Sequence, residues 1–294
     1  MKNPIENPAS PENLEKPSEI VLHFMRHGEK GKAQPGQSDY EVNLTPEGRK
    51  RAKLSALVTN LKQALAIGSP RERAQETASL MMTGNEDNIT GDESFDELKA
   101  KLNEGLTKAT KVFSDKRLDF ALDDKKPFGS KAMKAYTDGK YLFFVVNESD
   151  KLAEELGEEN DSTYGRMARA VAEIVEKYLK VADRWYELVN DEKKQYEATL
   201  ERFLGSHGGV TESFLLKVVE KIKGKDERDR LLSVIGNQFD FLEGFDVQID
   251  KKGSGDTPAI RIKYKKSDKE GKEIFNFDEE VSAEVLKQII LEGI

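Results

Sequence analysis

The chain of 294 residues holds three histidines and no cysteine, so histidine chemistry has few places to sit. Two of the three stand beside glycine, His27 in FMRHGEK (24–30) and His207 in GSHGGVT (205–211), while His23 falls inside an apolar stretch where packing is its ordinary role. Arg26 precedes His27, and Arg71 and Arg73 follow Ser69-Pro70 in SPRERAQETA (69–78). A neutral imidazole can attack phosphorus, and a guanidinium is a planar cation that grips two oxygens of a phosphate or carboxylate at once. Two imidazoles with two or three guanidiniums are the parts needed to hold a phosphoryl group and attack it. The lack of cysteine excludes disulfides, thiolate metal sites and thiol nucleophiles, and agrees with a reducing, cytoplasmic setting. No histidine spacing matches a zinc site, so no metal and no cofactor are expected.

These residues need elements to bring them together. Residues 20–25 read as a buried strand that ends in Arg26-His27-Gly28. After a loop, Thr45 as N-cap and Pro46 at the first helical position start a helix with Leu54, Leu57, Val58 and Leu61 at helical spacing. A short apolar piece ending at Gly68 precedes a helix over 71–82. The middle, about 99–150, is rich in Lys and Asp and reads as a helical insertion over the core, with a β-like stretch in KYLFFVVN (140–147). Residues 164–179 keep one apolar stripe over four turns. A strand or late helix then ends near Gly205, and His207 lies in a Gly-rich loop before a helix over 211–222. Beyond Gly224, two or three β-like stretches lead to a terminal helix with Asp278 as N-cap and Val281, Val285 and Ile289 on one face. Strand and helix in alternation predict an α/β three-layer sandwich (α/β/α) with a mostly parallel central sheet. Ligands of such sheets bind at the carboxyl ends of the strands, where the two histidine loops would meet.

The domain reading is a polar, Pro-rich arm over 1–18, a main domain over 19–222 and a C-terminal β-rich extension over 223–294 packed on it. With 47 Lys+Arg against 55 Asp+Glu the formal charge is −8, which disfavours nucleic acid and anionic membrane as partners. The longest apolar run falls far short of the ~20 residues that cross a bilayer. The oligomeric state is left open.

Order and context of the motifs carry a resemblance. RHG (26–28), LTPEGRKRA (44–52), SPRERAQETA (69–78) and SHGG (206–209) follow one another as they do in the histidine phosphatase superfamily, the group that includes cofactor-dependent phosphoglycerate mutases and many phosphomonoesterases. The resemblance covers about 19–98 and 150–222 and implies a phosphoglycerate-mutase-like fold. It makes His27 the nucleophile of a phosphohistidine intermediate, and Arg26, Arg73 and His207, with Gly208 beside them, the phosphate pocket. Arg71 is left as a surface residue at a helix start, because Arg73 takes the motif position. In one branch an Asp directly after the second histidine protonates the leaving group; here that position is Gly208. In the mutase-like branch a Glu after the second arginine does so, and SFDELKAKLNEG (94–105) resembles that segment, which makes Glu97 the general acid with Glu29 and Asp96 in reserve. Lys101 and Asn103 replace the family's Gly and Trp in it, and Ala33 replaces a phosphate-contacting Asn, so a mutase is not expected. The expected activity is a metal-independent phosphomonoesterase on a small phosphate ester. The alternatives are a protein phosphohistidine or phosphoserine phosphatase, a phosphoglycerate-type mutase, and a catalytically weak phosphate-binding or scaffold protein.

Overall fold

The computed structural model describes residues 15–56, 63–83, 86–105, 112–158 and 160–293. Most of the expected arm, residues 1–14, and the helical positions Leu57, Val58 and Leu61 lie outside the described residues. The last residues assigned to the arm are tied down: Glu15 accepts from the Tyr186 hydroxyl (2.5 Å), and the Lys16 N–H donates to Asn190 Oδ1 (2.8 Å).

In chain order the elements are β1 (Ser18–Arg26), α1 (Pro46–Leu54), β2 (Ala64–Gly68), α2 (Glu72–Met82), α3 (Phe95–Gly105), β3 (Phe113–Ser114), α4 (Pro127–Thr137), α5 (Tyr141–Leu156), α6 (Tyr164–Val189), β4 (Thr199–Ser206), α7 (Val210–Lys223), α8 (Lys225–Ile235), β5 (Gly244–Lys251), β6 (Ala259–Ser267), β7 (Glu273–Val281) and α9 (Ala283–Glu292). The described strands form one sheet in the order β3-β2-β4-β1-β5-β6-β7. Pairing is parallel from β3 through β2 and β4 to β1, then antiparallel from β1 through β5 and β6 to β7. The mixed sheet lies between two helical layers. Ile20, Leu22 and Phe24 of β1 point into a core built with α6, α7 and α9, while Met25 joins Ala52, Ala78, Leu80 and Leu98 on the other face. β1 sits mid-sheet and is buried on both faces, as its near-continuous apolar run requires.

The register places the chemistry. Arg26 pairs with Ser206 across β1 and β4, and Gly68 pairs with Gly205 across β2 and β4. The residues that follow each strand therefore emerge side by side: His27, Ser69 and His207. The His27 N–H donates to Ser206 O (2.9 Å) and the Ser69 N–H to Gly205 O (3.0 Å), which extends the ladders one residue into the loops.

Several expectations are corrected by tertiary context. KYLFFVVN is the start of helix α5, not a strand: Leu142, Val145, Val146, Ser149, Leu152 and Ala153 are buried on one side while Phe143 is half exposed. Its β-branched and aromatic composition favoured a strand, but the 3.6-residue period over 16 residues decides the matter. Helix α8 was not anticipated; it buries Arg228, Leu231, Leu232 and Ile235. The terminal helix is capped by Ser282, whose hydroxyl accepts from the Val285 N–H, whereas Asp278 belongs to β7 and pairs with Arg261. In α1, Leu54 is exposed, and the buried positions are Gly48 and Ala52. Thr45 does cap this helix, accepting from the Gly48 N–H at 2.9 Å. Gly48 is needed for close approach, because a Cβ there would stand 2.4 Å from the Glu29 carbonyl oxygen.

Candidate active site

The ring centroids of His27 and His207 lie 5.1 Å apart at the carboxyl ends of β1 and β4. The His27 Nδ1 lies 2.7 Å from the Gly28 carbonyl oxygen. A carbonyl only accepts, so Nδ1 carries the proton and Nε2 keeps its lone pair. Burial, reinforced by the charges of Arg73, Arg26 and Lys30, pulls the His27 pKa down to about 3. The imidazole is therefore neutral near pH 7, with its lone pair on the ring nitrogen that the Gly28 bond leaves free.

His207 is likewise held neutral, first by burial and then by the charges of His27, Arg73, Arg71 and Lys30. Its Nε2 lies 2.7 Å from the Ser69 hydroxyl and 3.6 Å from Asp119 Oδ1. The Ser69 oxygen accepts from the Arg71 N–H (3.2 Å), so its own proton is free to go to His207 Nε2. That assignment leaves the His207 proton on Nδ1.

Arg26 and Arg73 are both buried, and burial lowers their pKa values without removing the charge. A loop from outside the β1 region fixes Arg26: its guanidinium donates to the Phe239 carbonyl and lies 4.4 Å from the Phe241 ring centroid, and its N–H donates to Glu243 O (2.9 Å). Arg73, in the first turn of α2, donates to the carbonyl and carboxylate of Asp39 at 2.7 and 2.9 Å. Three buried N–H groups of this cluster have no partner: Arg26 Nε, Arg73 Nε and His207 Nδ1. Buried donors are ordinarily satisfied, so three orphans on residues that line one cavity call for an acceptor.

Asp39 lies in a short 3₁₀ turn, Asp39–Glu41, capped by Ser38. Its carboxylate accepts from Lys30, Arg71 and Arg73. Burial would raise its pKa, but the bonds and charges of Lys30 and Arg73 outweigh burial and bring it to about 2. Arg71 is not a surface residue as expected: it is buried, bridges Asp39 and Asp119, and stacks on Phe120 with its guanidinium carbon 4.2 Å from the ring centroid. The strand ends turn inward here, so a helix-start arginine becomes the tie between two carboxylates.

These groups open into a cavity of about 370 Å³. Arg26, His27, Arg73, His207 and Gly208 line it together with Lys30. Glu97 does not. It lies exposed in the first turn of α3, where its carboxylate accepts from the Ser94 N–H and hydroxyl, both at 2.8 Å, and those bonds lower its pKa. A Ser three residues before a Glu is the sequence of a helix cap, which satisfied the same pattern that suggested a proton donor. Asp96 is 90% exposed on the same turn, and Glu29 is absent from the cavity wall. Among the described residues lining the cavity there is no carboxylate.

Other wall residues were missed: Phe120, Leu122, Met133, Tyr136, Tyr141, Gln238 and Phe241. Tyr141 falls in the β-like stretch KYLFFVVN, and Gln238 and Phe241 fall in the expected C-terminal extension. Their one sequence signal was apolar residues in loops and helix starts, which carries no address. Gln238 explains Gly208, since a Cβ at 208 would fall 2.1 Å from Gln238 Oε1.

Residues 22–132 match the family model described as histidine phosphatase superfamily (branch 1), a span that contains Arg26, His27 and Arg73 and stops before His207. No curated protein matches the chain. Among solved structures, mycobacterial hydrolase 2 is 18% identical with a TM-score of 0.46, covering 94% of this chain and 98% of its own. A mycobacterial glucosyl-3-phosphoglycerate phosphatase is 16% identical with a TM-score of 0.40, covering 84% and 97%. A phosphoserine phosphatase from Entamoeba histolytica in complex with 3-phosphoglyceric acid is 14% identical with a TM-score of 0.33, covering 91% and 99%. At such identities and scores these are likenesses of chain shape and say nothing of substrate.

Proposed function

Since the chain belongs, through residues 22–132, to the histidine phosphatase superfamily (branch 1), we propose that it is a phosphomonoesterase acting through a phosphohistidine on His27. The observation that carries this reading is the set of three unpartnered buried donors, on Arg26, Arg73 and His207, around a neutral imidazole. The free His27 nitrogen attacks phosphorus in line while the ester P–O bond breaks and its electron pair leaves with the alkoxide or phenoxide. Charge spreads over the three transferring oxygens, where two guanidiniums neutralise it and the His207 N–H donates a hydrogen bond to it. The leaving oxygen takes a proton. Water then attacks the phosphohistidine, loses a proton, and the N–P bond breaks to release orthophosphate and restore neutral His27.

Phosphoramidate tests this without asking anything of the leaving-group pocket, because it presents little beyond a phosphoryl group. Brief incubation followed by intact-mass measurement is expected to show one added phosphoryl group that acid removes and base does not. His27→Asn is expected to abolish the adduct. An adduct that survives in His27→Asn, or no adduct and no phosphate release in the wild type, would overturn the reading.

A further inference from the structure

We infer that the leaving group is aromatic: on the phosphatase reading above, which this inference rests upon, the substrate is a small aryl phosphate monoester. The cavity has two unlike halves. One holds Arg26, His27, Arg73 and His207; the other is walled by Phe120, Leu122, Met133, Tyr136, Tyr141 and Phe241. Four of these rings are packed against the catalytic groups or against each other. Phe120 meets His207 edge-on at 5.1 Å and carries Arg71 on its face. Phe241 lies 6.1 Å from His27 and 4.4 Å from the Arg26 guanidinium carbon. Tyr136 and Tyr141 meet edge-to-face at 6.0 Å.

Three features point the same way. The first is shape and polarity, since six apolar or aromatic side chains offer a leaving group van der Waals contact and ring faces, which an aromatic group uses best. The second is charge. Beyond the phosphate-binding cluster, Lys30 is the one cation lining the cavity among the described residues, and its ammonium is paired with Asp39 at 2.9 Å. A substrate with a second phosphate or a carboxylate would bury that charge against apolar walls. The third is chemistry. Among the described residues no carboxylate lines the cavity, and a phenol, with a pKa of about 10, departs with far less need of a proton donor than an aliphatic alcohol does. Gln238, Lys30 and the hydroxyls of Tyr136 and Tyr141 are the polar side-chain groups that remain among the described lining residues, enough to orient a ring substituent.

The test compares kcat/KM for phenyl phosphate and 4-methylphenyl phosphate with that for glycerol 1-phosphate, O-phosphoserine and cyclohexyl phosphate. Phosphoramidate labelling of His27 serves in parallel as the check that the site is folded and active. Cyclohexyl phosphate separates fit from leaving-group ability, since it is as apolar as phenyl phosphate and leaves as an alkoxide. Expected are a preference of at least about 100-fold for phenyl phosphate over glycerol 1-phosphate, and a KM for cyclohexyl phosphate about tenfold below that for glycerol 1-phosphate, the size expected for taking a ring out of water. Leu122→Asn and Met133→Asn are expected to reduce the phenyl-to-glycerol preference by about tenfold. Equal kcat/KM for the aryl and glycerol esters in an enzyme that phosphoramidate labels would overturn the aryl assignment and leave the phosphatase reading standing. Faster turnover of a phosphotyrosyl peptide than of 4-methylphenyl phosphate would overturn the assignment to a small ester.

Discussion

His27 is kept neutral by burial and by the cations around it, down to a pKa of about 3. The acid limb of a pH–rate profile should therefore report the second ionisation of the ester, near 6, rather than protonation of the nucleophile. Corrected for that ionisation, kcat/KM is expected to stay flat within about threefold from pH 4 to 8; a further fall centred near 6.5 would show that His27 titrates as an exposed histidine. Glu97 gives the opposite kind of prediction. Its carboxylate caps α3 and lines no part of the cavity, so Glu97→Gln is expected to leave kcat within about twofold and to lower the melting temperature slightly. A hundredfold loss of kcat would restore it as the proton donor. Gly208 stands where a related branch carries an acid, and Gln238 fills the space a side chain would need. Gly208→Asp combined with Gln238→Ala is expected to raise turnover of alkyl esters by about tenfold, at the low end of what a positioned acid supplies. Gly208→Asp alone should gain less, because the Gln238 amide must first swing away.

The 3₁₀ turn Asp39–Glu41 places a carboxylate on Arg73, a guanidinium proposed to bind the phosphoryl group. Arg71 holds it there, tied on its other side to Asp119 and stacked between Phe120 and Tyr40. At neutral pH Asp39 is ionised, with its pKa near 2, so an incoming phosphate must compete with it. Asp39→Asn removes the competing charge and is expected to tighten inhibition by inorganic phosphate about tenfold, as about 1.4 kcal/mol of lost competition would do. An unchanged or weaker inhibition constant would mean that Asp39 shapes Arg73 rather than rivals the ligand. The loop between α8 and β5 works in the other direction. It accepts from Arg26 through the Phe239 carbonyl and is itself anchored by Glu212, which takes the Phe239 N–H at 2.8 Å. Leu242 in this loop has φ of 68°, a conformation that a leucine adopts only when its surroundings impose it.

His23 joins the parallel and antiparallel parts of the sheet. It lies on β1 with Nδ1 2.8 Å from Asp246 on β5 and Nε2 3.5 Å from Glu201 on β4. Burial alone would lower its pKa, but the bonds and charges of Asp246 and Glu201 outweigh burial and raise it to about 9. A raised folded-state pKa means stability that is complete below the unfolded value near 6.5 and is lost as pH rises toward 9. Asp246 is nearly half exposed, so the contribution is discounted for solvent screening to about 1–2 kcal/mol. Denaturant unfolding at pH 6.5 and pH 9 is expected to show that loss in the wild type and less of it in His23→Asn. Equal losses in both would show that the three-strand ion pair is not the source.

The residues proposed to hold phosphate were legible as candidates because their chemistry is tied to short local patterns. A strand ending in Arg26-His27-Gly28, a helix start at Arg73 and a Gly-rich turn at His207 each need a local backbone that neighbouring residues dictate. Periodicity likewise revealed α6 and the helix after His207, whose stripes are continuous. Composition misled where it opposed period, as at Tyr141–Leu156, and a helix cap at Ser94 and Glu97 imitated an acid in position. The wall of the cavity was beyond reach of the sequence, because Phe120, Met133, Tyr141, Gln238 and Phe241 come from separate segments. Strand register and helix packing bring them together across long sequence separations. Local pattern thus determined which groups could act on phosphorus, and tertiary packing alone decided what they are surrounded by.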